Sequence, residues 1–226
     1  MVRVVSTPIA SKSQALALSD GYTQGFPRLY LDADVELGTG DVRALAGALA
    51  APGVLAAAPA RALVMAGCPW LVRWYYDVWQ RLPAVQDGLF GRGVVAVSEA
   101  GHARLRDLPP VLNDDLAASV AFAPHERRVV SEAQAVIHPP RTVGDLVRRR
   151  VRSLTGLAEM DGRVAGVAAT RTSRSSLVRI VRDEPAMAPR MAVFLGITAY
   201  ARWKARRPIR DRDFTTWQRD ESSRVP

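Results

Sequence analysis

The sequence predicts an α/β domain with a largely parallel sheet flanked by helices. Two observations carry that expectation. Short apolar runs suited to buried strands alternate with stretches of helical periodicity, and the run Arg28-Leu29-Tyr30-Leu31 ends directly in the acidic triplet Asp32-Ala33-Asp34. Strand-helix-strand order favours parallel neighbours, and ligands then collect outside the carboxyl ends of the strands.

Taken in order, residues 2–6 read as a short strand, and residues 11–20 as a helix with Ala15, Leu16 and Leu18 on its buried side. Gly21 and Gly25-Phe26-Pro27 stop that helix, and residues 28–31 form a buried strand. Asp41 caps a helix through Leu49, Pro52-Gly53 breaks it, and residues 54–60 are extended again. An aromatic helical segment covers 70–82, and the glycine-rich stretch Gly88 to Gly93 leads into the β-branched run Val94 to Val97. Ser98-Glu99 starts a further helix. Residues 107–116 form a loop into a helix opening at Asn113-Asp114-Asp115, and residues 133–138 a strand. Thr142 caps a helix ended by Gly156, residues 158–174 form a flexible connection, and residues 189–207 an amphipathic terminal helix.

Bulk properties narrow the function classes. The chain has 226 residues, 48% of them hydrophobic and 23% charged, as expected for one globular unit rather than a disordered chain. No apolar run is long enough to span a bilayer, and the N-terminus lacks the pattern of a secretory signal, so a cytoplasmic location is expected, with the inner face of the membrane as a possible site of action. The single cysteine, Cys68, excludes an internal disulfide or a cysteine-cluster metal site, and its apolar setting reads as a buried, inert thiol. The net charge of +9 resides in the C-terminal part: residues 141–226 carry 19 Lys or Arg against 9 Asp or Glu, whereas residues 1–140 carry 12 against 13. Charge alone does not choose between nucleic acid, anionic lipid and a diphosphate substrate. No helix-turn-helix, zinc or RNA-binding pattern accompanies it, so no nucleic-acid partner is expected.

Asp32 and Asp34 flank one small residue at a strand end, where one carboxylate reaches a divalent metal and the other reaches its waters or a ribose. Magnesium or manganese takes oxygen ligands, and a diphosphate supplies the remainder. Asp-x-Asp also occurs in plain solvated turns; its place after a buried strand selects the site reading. Asn113-Asp114-Asp115 suits either a base at a helix start or simple capping. Arg149 and Arg152, three apart, share a helix side and suit a phosphate or a solvated face. Trp70, Trp74, Tyr75 and Trp79 fall at helical spacings, as an acceptor wall or as core. His138 either completes a metal site or caps a strand end.

In their order along the chain, these motifs resemble the family 2 glycosyltransferases. Lys12-Ser13-Gln14-Ala15-Leu16 resembles the family's lysine-containing helix start, and residues 29–35, LYLDADV, its metal-binding strand. Gly88 to Val97 resembles the acceptor-side segment, and Asn113-Asp114-Asp115-Leu116 the acidic pair that supplies the general base. Residues 149–153 resemble a variant of the Gln-x-x-Arg-Trp segment, with Arg149 in the glutamine place and Ser153 in the tryptophan place, a departure from the processive polymer synthases.

The resemblance implies a GT-A type, Rossmann-like domain over 1–156 that is N-terminally incomplete, because the strand-helix units holding the nucleotide have no counterpart here. Residues 157–226 would be a basic linker and C-terminal helical extension. It further implies transfer of a sugar from a nucleoside-diphosphate sugar donor to the hydroxyl of an acceptor, lipid-linked or a small glycoside. Asp34 and Asp32 would hold the metal; Lys12, Asp32, Arg149 and Arg152 would meet the donor diphosphate. Asp115, with Asp114 beside it, would be the base, and Gly91, Gly93 and Trp74 would face the acceptor. The competing expectation is a truncated or degenerate module without catalysis that contacts an anionic membrane or a partner through its arginine-rich C-terminal part, with Met191, Phe194, Leu195 and Ile197 facing lipid.

Overall fold

A computed structural model describes residues 3–8, 12–109, 111, 113–161, 163–164 and 166–212, apart from the side chains of Ser13 and Ala169. Helix α1 (Lys12–Asp20) precedes β1 (Arg28–Leu31), which turns through the acidic triplet into β2 (Val35–Glu36). Next come α2 (Thr39–Leu49), β3 (Ala56–Leu63), α3 (Trp70–Trp79), α4 (Pro83–Asp87), β4 (Val94–Val97), α5 (Glu99–Arg106), α6 (Asp114–Val120) and β5 (Arg127–Ile137). The helices α7 (Val143–Met160), α8 (Arg174–Asp183) and α9 (Ala188–Arg210) complete the fold.

The five strands lie in the order β1-β4-β3-β5-β2. The expectation of a largely parallel sheet is corrected, since only β3 and β5 pair in parallel and the other three pairings are antiparallel. The alternation of strand and helix is nevertheless there, because β1, β3 and β5 all run in one direction. What the pattern does not reveal is that the Gly88 to Gly93 turn sends β4 back between β1 and β3, antiparallel to both. The carboxyl ends of β1, β3 and β5 and the amino end of β4 therefore share one end of the sheet.

Alternation along the strands sets the core. Leu45 and Ala48 of α2 cover one face, against Ala57, Val94, Ala96 and Ala135. The opposite face carries Ala56, Ala58, Val95 and Val97 with Leu89 and Phe122. A third core joins α3, α7 and α9 through Val72, Tyr75, Leu146, Val151, Phe194 and Ala201. The terminal helix thus packs against the segment that precedes it.

Several local expectations change. Residues 3–6 form no strand, and residue 2 lies outside the described residues. Gly156 does not end α7, which runs on to Met160. A Cβ at Gly156 would fall 2.6 Å from Asn113 Cγ, so this glycine serves helix-to-loop contact rather than termination. Residues 158–174 include a 3-10 turn, Val167–Thr170, whose buried Val167 packs with Leu116, Ala117 and Met160. The amphipathic helix α8 has no counterpart in the sequence reading; Ser173 caps it by accepting from the Ser176 N–H. Residues 213–226, with the rest of the basic tail, lie outside the described residues.

Candidate functional site

The acidic triplet crosses the shared end of the sheet. Asp32 N donates to Gly93 O at 2.8 Å, extending the β1–β4 ladder by one bond. Gly93 has φ of +65°, and a Cβ there would lie 2.3 Å from Val35 Cγ2, so only glycine lets β4 start directly beneath the triplet. Gly91, also in the left-handed region, donates its N–H to Asp115 Oδ2 at 2.8 Å. Gly91 thus braces the Asp115 carboxylate, and Gly93 the main chain of Asp32.

The start of α6 joins the site from the other side. Asp115 accepts from the Gly91 and Leu116 N–H groups, at 2.8 and 2.7 Å. These two bonds fix its orientation and leave further lone-pair directions on the carboxylate. Asn113 Nδ2 donates to Ser153 O at 2.9 Å, tying α6 to α7. Asp114 Oδ2 lies 2.9 Å from Lys12 Nζ, which also reaches Asp32 Oδ1 at 2.7 Å. Burial opposes the Lys12 charge, but Asp114 and Asp32 outweigh it and raise its pKa above the ordinary lysine value. Burial raises the Asp114 pKa, with Asp115 adding repulsion against the pull of Lys12. The three side chains are 34 to 40% exposed, so solvent screens the bridge and its value is positional more than energetic.

Two arginines, Arg92 buried and Arg61 half-buried, hold the Gly88 to Gly93 turn. β3 and β4 pair only at Ala56↔Val97 and Ala57↔Ala96; beyond that, arginine donors replace the ladder. Arg92, 3% exposed, donates to Pro59 O at 2.8 Å, to Gln86 O at 2.7 Å and to Gly88 O at 2.9 Å. Arg61 donates to Gly91 O, Val85 O and Phe90 O, with its guanidinium over the Trp79 ring. Burial pushes Arg61 down to about 9, helped by Arg92, and pushes Arg92 down to about 10. Both remain cationic at neutral pH.

These parts open on a cleft of about 1070 Å³ lined by Lys12, Asp32, Asp34, Asp114 and Asp115 together with Arg149, Arg150 and Arg152 of α7. Asp34 is exposed. His138 also reaches the cleft, and its Nε2 is 3.7 Å from Glu36 Oε1. Trp74 does not line it. That ring packs edge-on against Trp70 at 4.9 Å, and helical rotation turns Tyr75, Tyr76 and Trp79 to the cleft instead. The Cys68 thiol is buried and its pKa is raised by burial, as expected of an inert thiol.

A second cavity of about 710 Å³ shares Lys12, Asp32 and Asp114 and continues between α1, β1, α5 and α6. At its far side Tyr30 Oη lies 2.8 Å from His102 Nδ1 and 3.2 Å from Asp20 Oδ1, and Arg28 Nη1 lies 3.1 Å from both Asp20 Oδ1 and His102 Nε2. Burial, then the Asp20 charge, pushes Tyr30 up to about 12. The sequence suggested no site role for Arg61, Arg92, Tyr30 or His102; their partners are backbone carbonyls or residues up to 74 positions away, and no local spacing marks such pairs.

Among the described residues, no group of three or more His, Cys, Asp or Glu closes on one point as a metal cage. The donor set is two loop carboxylates. That fits a hard cation such as magnesium, which commonly takes one or two protein carboxylates and completes its shell with water and substrate phosphate. No helix among the described residues is long and apolar enough to cross a membrane. No protein-family model matches the chain, and no curated protein matches it significantly.

Proposed function

We propose that this chain acts in glycosyl transfer from a nucleoside-diphosphate sugar, with the cleft taking the donor diphosphate and the acceptor hydroxyl. The observation that carries the reading is convergence. Residues 12, 32–34, 91–93 and 114–115, far apart in sequence, meet at one end of the sheet, with Lys12 bridging Asp32 to Asp114. Transfer needs stabilisation of the departing diphosphate and a base for the acceptor hydroxyl, and carboxylates, lysine and arginines in one cleft answer both needs. Asp34, with Asp32, would hold a divalent metal. The metal would supply charge neutralisation at the diphosphate. A GT-A type architecture belongs to this proposal, as does a cytoplasmic setting.

Asp115 is the base in this reading. Its hydrogen bonds come from backbone N–H groups, whereas the Asp114 charge is engaged by Lys12. Asp114 then positions Lys12 beside the diphosphate. Released nucleoside diphosphate can be assayed across a panel of sugar nucleotides and acceptors with manganese. Asp115→Asn should lower kcat by at least a hundredfold with KM for the donor little changed. A variant that keeps more than a tenth of wild-type kcat would remove Asp115 from the role.

A second reading, compatible with the first, is contact with an anionic membrane, and the outer face of α9 favours it. Leu195, Tyr200 and Trp203 are exposed there, beside Arg202, Lys204, Arg206 and Arg207. The face differs from the one expected from sequence, because Met191, Phe194 and Ile197 are buried against α3 and α7. Flotation with phosphatidylserine vesicles should fall when Trp203 and Leu195 are both changed to Ser; unchanged flotation would eliminate this face.

A further inference from the structure

The second cavity, of about 710 Å³, is walled differently from the cleft it adjoins. Leu16, Leu31, Leu89, Val95, Leu105 and Leu108 line it. Leu16, Leu105 and Leu108 are half-buried and Leu31 is 52% exposed, so part of this apolar surface stays open. A cavity of roughly 300–1,000 Å³ with mostly apolar walls and a few placed polar groups is the usual form of a small-molecule site.

The polar network that lines only this cavity is engaged with itself. Arg28 can only donate, so His102 Nε2, 3.1 Å from Arg28 Nη1, accepts; His102 Nδ1 then carries the hydrogen and donates to Tyr30 Oη at 2.8 Å. The Tyr30 hydroxyl donates to Asp20 Oδ1 at 3.2 Å, and Arg28 Nη1 reaches the same oxygen at 3.1 Å. The Arg28 guanidinium lies 4.7 Å from the centre of the Phe26 ring, and within this network only its Nε has no partner. The part of a ligand beside this network therefore needs no polar atoms.

The groups open to a polar head lie where the two cavities adjoin, since Lys12, Asp32, Asp114 and Asp115 line both. Lys12 is held there between Asp32 and Asp114, at 2.7 and 2.9 Å. Asp115 accepts from two backbone N–H groups and keeps lone pairs for a further donor. Over the whole lining, Asp20, Asp32, Asp114 and Asp115 stand against Lys12, Arg28 and Arg106. Three carboxylates beside one engaged lysine accept a hydroxyl and repel an anion.

We propose that this cavity binds an apolar alcohol, with its hydrocarbon body among the leucines and its hydroxyl donating to Asp115. Naming that alcohol as the sugar acceptor rests on the transferase reading. In that role its O–H proton passes to Asp115, its oxygen bonds the anomeric carbon, and the bond from that carbon to the diphosphate breaks, the diphosphate leaving with the electron pair. The preference for an apolar alcohol stands without that reading.

The purified chain can be titrated by calorimetry with decanol and with decanoate, in the absence of metal and sugar nucleotide. Saturable binding of decanol is expected, with decanoate at least tenfold weaker, although the net charge of +9 attracts anions in general. Ala17→Phe, at an exposed position of α1 that lines the cavity, fills the space and should weaken decanol binding at least tenfold. Leu31→Asn, also at an exposed position, should weaken it about fivefold. Wild-type affinity in both variants at unchanged melting temperature would overturn the assignment, as would decanoate binding as tightly as decanol. Decanol binding without any sugar-nucleotide binding, with or without manganese, would remove the transferase reading and leave the alcohol site; sugar-nucleotide binding without decanol binding would remove the alcohol site alone.

Discussion

Arg92 shows how single residues hold this site in place. Its guanidinium is buried at the point where β3 and β4 part, and it replaces ladder bonds with donations to Pro59, Gln86 and Gly88. Arg92→Met would strand these buried carbonyls. The loss should be about 3 kcal/mol in urea unfolding, because unsatisfied buried acceptors cost more than is gained by burying one charge fewer. A change below about 1 kcal/mol would mean that the turn is held by other contacts. Asp32, Asp34, Asp114 and Asp115 could be read from the sequence because their spacing and their place after a strand or at a helix start are local features. Arg92 could not, since an arginine in a turn gives no sign of whether it faces solvent or a carbonyl cage. Gly93 stood in a recognisable segment, but its reason, the approach of Val35, depends on tertiary structure.

At the scale of elements, β1, β4, α1 and α7 fall where apolar periodicity and capping residues put them. Thr142 caps α7 by accepting from the Asp145 N–H at 3.0 Å, as its sequence position suggests. Helix ends set by contacts were less legible. α7 passes Gly156 because Asn113 packs there, and β5 begins at Arg127, six residues before the apolar run that signals it. The terminal helix α9 is a packed element rather than an appendage. Phe194, 3% exposed, stacks on Tyr75 and joins the core shared with α3 and α7. Phe194→Ala should destabilise the whole domain by about 3–5 kcal/mol in a single cooperative transition. Two separate transitions would show instead that α9 folds apart from the sheet.

For the whole molecule, strand direction matters more than strand pairing. The alternation of strand and helix agrees with β1, β3 and β5 pointing one way. It did not show that β4 returns between them, because an antiparallel insertion carries the same apolar pattern as a parallel one. The consequence is a cleft lined by both carboxylates and arginines, the combination on which the proposed transfer of a sugar from a diphosphate depends. Calorimetric titration of sugar nucleotides with and without manganese tests that proposal most directly. The account predicts saturable binding that requires the metal and is lost in Asp34→Ala while the variant keeps its melting temperature. Binding of equal strength without metal, or in Asp34→Ala, would contradict it.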